Sequence, residues 1–371
     1  MRSGIVRGVS RIFLPNPAKF PLISVLIAVL PWSTTILMAQ AENVVRMSVP
    51  ESEDPVLNIH SVLRIGSEDG DHDAFGRVLD AKLAADNHIL VADGLIRSVI
   101  LFDSTGSFIR TIGRPGAGPG EFGVPALIAV DANDSVFVWD SRMSRISVFN
   151  LNGDFVRTFR VMPSWALTGM EFMPDGKILL AGYTLGDLGG LHLIERDGTW
   201  IRSFSDPPVD RAVRGFDRNL LGGYLAMGSD WFAYSTRSPY EVRFFSSADT
   251  RLTSRCVGDP SWTTPPGDVV HRSGNVIGLQ FSRFVHTARV LAIAPNLVLN
   301  IVYDPVEGRR VLDILATDCR WIRREVLELP LMFTDAQGGY LLGVENAGIP
   351  VVVLYRISGG SNWGRTFGVV R

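Results

Sequence analysis

The chain has 371 residues, 46% of them hydrophobic and 20% charged, with 37 glycines and a formal net charge of -2. This suits a well-cored globular protein and excludes a disordered or collagen-like chain. Four of the 36 basic residues and none of the 38 acids fall in the first 41 positions, leaving 32 against 38, a net of -6 that argues against nucleic acid as a partner.

In chain order, Arg2, Arg7, Arg11 and Lys19 form a basic leader, followed by the apolar run "FPLISVLIAVLPW" and by Ala39-Gln40-Ala41, a small-x-small cleavage site. This order describes a secretory signal peptide over residues 1–41, cleaved after Ala41. The alternative is an uncleaved anchor over residues 20–38, against which Pro21 and Pro31 count, and only that alternative brings the protein to a membrane. No cysteine follows the apolar run, which counts against a lipid anchor. Either way the bulk of the protein is expected outside the cytoplasm, secreted or periplasmic. Residues 42–54 read as a linker, 55–358 as the folded domain and 359–371 as a C-terminal tail. An oxidising compartment permits a bridge between Cys256 and Cys319; two separate buried thiols are the alternative.

Residues 66 to 111 and 113 to 158 superpose at a constant offset of 47 with no gap: Gly66 falls on Gly113, Phe75 on Phe122, Asp93 on Asp140, Phe102 on Phe149, Gly106 on Gly153 and Phe108 on Phe155. Each unit reads as short strands of alternating apolar and polar residues punctuated by turns, as in "ALIAVD", "SVFVWD", "RISVFN" and "DFVRTFRV". Four antiparallel strands per unit of this length indicate a propeller blade. Weaker copies follow through "GMEFMPDGKILLAGY", "DWFAYST", "ARVLAIAPNLVLNIVYD" and "PLMFTDAQGGYLLGVENAGIPVVVLYRI". The last lacks a fourth strand, which "PVLNIHSVLRIG" can supply. The expected fold is all-β, a six-bladed β-propeller of four-stranded antiparallel blades whose ring is closed by the N-terminal strand.

These residues resemble the NHL-repeat six-bladed propellers, most closely in the second unit. There the pattern runs through Gly113, Gly116, Gly118, Pro119, Gly120, Phe122, Pro125, Ala129, Val130, Asp131, Val136, Val138, Asp140, Arg145, Val148, Phe149, Gly153 and Phe155. The first unit departs from it with Ser98 in place of arginine, and the later units match by strand rhythm alone. The stretch "TIGRPGAGPGEFGVP" is one copy of the connector from the outermost strand of a blade to the innermost strand of the next, with Phe122 expected to plug the gap between them. It is not a phosphate loop, since a strand follows it and it lacks the Gly-Lys-Ser or Gly-Lys-Thr of a P-loop.

The matching connector of the first unit, "GSEDGDHDAFGRVLD", places Asp69, Asp71 and Asp73 in alternation with Asp80 at the twelfth position, the spacing of a calcium loop, although Ala74 stands where such a loop wants glycine. Calcium at these four residues is the one cofactor the sequence suggests; a solvated acidic turn is the alternative. Asp93 and Asp140 end second strands and read as structural acceptors for the following turns.

Hydrolase signatures are missing: there is no G-x-S-x-G, H-E-x-x-H or C-x-x-C. The connectors after the third and fourth units are long, and the loops on that face carry Trp165, Arg214, Arg218, Trp262, Arg272, Arg283 and His286. Aromatic and arginine residues on loops favour recognition. The expected function is a non-catalytic binding module for a peptide, glycan or protein partner, with these residues as the ligand-binding set. The alternative, implied by enzymes among the propellers it resembles, is a metal-dependent lactonase or lyase with its site at the central channel.

Overall fold

A computed structural model describes residues 44–47, 57–161, 166–183, 190–205, 222–237, 240–258, 270–273, 276–279, 286–304, 309–327, 331–346 and 348–358. They form six antiparallel sheets arranged as the blades of a propeller. The innermost strands are Val78–Leu83, Pro125–Val130, Ala166–Phe172, Gly223–Met227, His286–Ala294 and Leu331–Gln337. Each packs on the next and the sixth on the first, which closes the ring. Asn58–Ile65 pairs antiparallel with Val351–Ser358 as the outermost strand of the sixth blade, so the N-terminal strand closes the ring as the sequence implies.

Period-two alternation is what makes the blades stack. Along Val136–Asp140, Val136 and Val138 pack with Leu90 and Val99 of the first blade. Their neighbours Phe137 and Trp139 pack with Ile178 and Leu180 of the third. Successive side chains of a strand point to opposite faces, so one short run of large apolar residues feeds two seams. Among the described residues the core falls into six clusters, one in each seam between adjacent blades.

The glycine-rich connector after the first blade is a scaffold joint, as expected. Phe122 is fully buried in the seam between the first two blades, its ring 5.5 Å from that of Phe149. Gly113, at φ +73°, comes so close to it that a Cβ would lie 2.3 Å from the Phe122 ring. Arg145 donates to the carbonyls of Ala117, Gly118 and Glu121 at 3.0, 2.8 and 2.7 Å, while the Glu121 carboxylate accepts from the Ala117 and Gly118 amides at 3.0 and 2.8 Å. The loop's backbone is thus tied by the protein's own side chains. Asp93 and Asp140 are structural too: Asp140 accepts from the amides of Gly123, Val124, Arg142 and Met143, and Asp93 from those of Gly76, Arg77, Leu95 and Ile96.

Two details differ from the sequence expectation, and one alternative it left open is resolved. The 42–54 linker is not all linker: Val44–Arg46 adds a fifth strand to the fourth blade, parallel to Leu252–Val257, because that outer edge offers unpaired backbone groups. The long connector after the fourth blade contains a hairpin, Val270–Ser273 against Val276–Leu279. Cys256 and Cys319 are bridged, which resolves the open alternative and ties the fourth blade to the fifth. No helix of the described residues is long and apolar enough to cross a membrane, and residues 1–41 lie outside those described.

Candidate functional site in the central channel

Five ionisable side chains from four of the innermost strands meet in the channel. Lys82 of the first blade bonds Glu171 of the third at 2.7 Å and Asp335 of the sixth at 3.2 Å. Arg289 of the fifth blade bonds Asp80 of the first at 3.0 Å and the carbonyl of Thr334 at 2.8 Å. Backbone amides complete the network, Leu83 donating to Asp335 at 2.8 Å and Ile128 to Asp80 at 2.9 Å. The register explains the convergence: Asp80 and Lys82 are two apart on one strand and share its channel face.

Charges withdrawn from water are tolerated only when paired and hydrogen-bonded. Burial raises the pKa of Asp80 and of Glu171, offset only in part by Arg289 for the first and Lys82 for the second. Burial also works against the Lys82 ammonium, but Asp335, Glu171 and Asp80 outweigh it and hold Lys82 charged well above the ordinary lysine range. Three carboxylates against two cations leave the cluster one negative charge in excess. Beside it lies a cavity of about 190 Å³, lined by Lys82, Glu171, Arg289 and Asp335 and walled by Val130, Leu225, Met227 and Leu291. Leu83, Val130, Met227 and Gln337, all lining residues, are the last residues of their strands. The cavity therefore lies toward the face of the turns inside blades, opposite the face where connectors enter.

The sequence-predicted sites fare unevenly. Asp80 is not a member of an acidic loop; it faces the channel, engaged by Arg289 and Ile128. Asp69 and Asp71 are exposed, and Asp73 accepts the Ser67 hydroxyl at 3.0 Å, so the four aspartates are not brought together. Among the described residues no group of three or more His, Cys, Asp and Glu could hold a metal. Arg272 lies in the connector hairpin opposite Ile277, and His286 opens the innermost strand of the fifth blade, so both are strand residues. Trp165, Arg214, Arg218, Trp262 and Arg283 lie outside the described residues.

Sequence reasoning missed Lys82, Glu171, Arg289 and Asp335. A signal existed in the repeat itself: at the offset of 47, Asp80 and Lys82 fall on Leu127 and Ala129. Charge stands where the copy is apolar, at an inward position of an innermost strand.

A family model described as a 6-bladed beta-propeller, DUF5128, matches residues 75–174. The fold is that of a β-propeller family. No curated protein matches significantly. Among solved structures, the chain is similar to a candidate exported protein of Bacteroides fragilis at 11% identity and a TM-score of 0.61, covering 86% of this chain and 100% of that one. It is also similar to a DUF4221 family member from Bacteroides vulgatus at 12% identity and a TM-score of 0.54, covering 83% and 99%. An inactive variant of virginiamycin B lyase from Staphylococcus aureus, with quinupristin, matches at 10% identity and a TM-score of 0.50, covering 80% and 88%. At such identities the likeness is one of fold.

Proposed function

We propose that this protein is an extracytoplasmic, NHL-like β-propeller that acts as a non-catalytic binding module, holding part of a peptide, glycan or protein partner. The channel cavity is the seat that its described geometry favours. The observation that carries this reading is the pairing of the channel charges. Lys82 and Arg289 sit against the carboxylates that a metal-dependent lyase or lactonase would need as ligands, and a cation beside a would-be ligand opposes a metal. A rigid ring around a small, mostly polar cavity with convergent charged groups suits recognition. The leader over residues 1–41 and the disulfide Cys256–Cys319 support an oxidising compartment outside the cytoplasm.

The seat is tested by filling it. Met227→Trp closes the cavity, while Trp262→Ala with Arg214→Ala strips the connector face. In ligand-observed NMR with a panel of short peptides and oligosaccharides, loss of binding in the first variant and its retention in the second is the expected result. The reverse would move the seat to the connector face, and no binding by the wild type would overturn the module reading.

A further inference from the structure

Resting on the channel reading, one further step concerns what the cavity takes. Within the cluster both oxygens of Asp335 are engaged, by Lys82 and by the Leu83 amide, and both oxygens of Asp80, by Arg289 and by the Ile128 amide. Glu171 differs: Oε1 accepts from Lys82, and Oε2 has no donor among the described residues. Its side chain is also the most open of the three carboxylates, 24% exposed against 14% for Asp335 and 1% for Asp80. The excess negative charge of the cluster therefore has an accessible address, a Glu171 oxygen at the cavity wall.

We propose that the cavity binds a single alkylammonium arm, such as a lysine side chain or an amine of that shape, with its nitrogen on Glu171 Oε2 and its methylenes against Val130, Leu225, Met227 and Leu291. One positive charge brings the five-residue cluster to neutrality, whereas an anion adds to an existing excess and a divalent ion overshoots it beside Lys82 and Arg289. The dimensions agree, because about 190 Å³ lies below the roughly 300–1,000 Å³ of pockets that enclose whole drug-sized ligands. The cavity suits one arm of a larger partner. The exposed lining is mostly polar, so the carboxylate carries most of the recognition and the methylenes add a smaller part.

The test uses the exported chain, residues 42–371, with n-butylammonium, n-butanol, butyrate and N-acetylglucosamine as probes in NMR titrations. The expected result is saturable binding of butylammonium at least tenfold tighter than butanol, with no binding of butyrate. Glu171→Gln keeps the shape of the site and removes its charge; it should cost butylammonium about tenfold or more and leave butanol unchanged. Because burial raises the Glu171 pKa, binding should also weaken as pH falls through that raised value; in Glu171→Gln the dependence should shrink to the part due to Asp80, whose pKa burial also raises. Butylammonium binding no better than butanol, or untouched by Glu171→Gln, would overturn the proposal. If butyrate or N-acetylglucosamine binds instead and Met227→Trp blocks it, the cavity remains a seat and the ammonium class falls. If no probe binds, the seat falls with it.

Discussion

Between the first and second blades the gap is filled by hydrocarbon: Phe122, from a glycine-rich connector, lies among Leu90, Ile112, Val138 and Phe149. Between the fourth and fifth, Cys256 bonds Cys319 across the seam, and a chain of polar groups runs beside it. Tyr240 donates to the buried Asp313 at 2.9 Å, and Arg324 grips the same carboxylate at 2.6 and 2.7 Å. Ser235 Oγ lies 2.9 Å from Asn300 Oδ1 and 3.1 Å from Thr287 Oγ1. The core of the first seam depends mainly on shape. The other depends also on oxidation state and on every polar partner being present, since a buried polar group left unpaired costs more than a satisfied one contributes.

That contrast can be broken from either side. Phe122→Ala should lower stability by about 4 to 5 kcal/mol, because two rigid sheets cannot collapse onto the void; urea unfolding measures it, and reductant should leave the difference unchanged. Replacing both Cys256 and Cys319 by alanine should cost about 4 kcal/mol, the chain-entropy figure for a loop closed across 63 positions, with the loss appearing in the same assay. Acid acts at a third place and must be separated from both seams. Burial pushes His192 down from 6.5 to about 4, so its folded form resists protonation while the unfolded chain accepts it. This stability is present above pH 6.5 and is lost as pH falls toward about 4, by about 3 kcal/mol, and His192→Asn should flatten the slope of stability against pH. Tyr240→Phe should cost about 1 to 2 kcal/mol by removing one donor from Asp313. At the exposed end, Arg114→Ala should change stability by less than about 0.5 kcal/mol, although Arg114 pairs with Glu121 at 2.9 Å.

The same contrast separates what the sequence reveals from what it conceals. The first two blades repeat at a fixed offset, so Gly113, Phe122 and Asp140 announce a joint, a plug and a turn acceptor before any coordinates. Ser98 stands where the second blade has Arg145, and its hydroxyl is buried without a partner among the described residues; the departure visible in the sequence is a departure in bonding. In the fourth and fifth blades the connector holds a hairpin and a disulfide joins the two blades, and no offset carries that over. The channel cluster was hidden for a different reason: Glu171, Arg289 and Asp335 come singly from separate blades, and only ring closure makes them neighbours of Lys82. Asp80 was singled out for its spacing from Asp69, a local pattern overridden by the strand that turns it inward.

The order in which strands find partners gives the N-terminal segment a significance of its own. Val44 pairs with Arg255 and Asn58 with Ser358, while the Leu57 amide reaches Glu325 on the outer strand of the fifth blade. For a chain that emerges N-terminus first, the earliest strands are among the last to be hydrogen-bonded, waiting for most of the domain to appear. During that interval the N-terminal strands stand without partners, because the edges they cover have not yet been made. The vulnerable period of this protein is therefore the time before its ring closes, when a second copy could claim the unpaired N-terminal strands first.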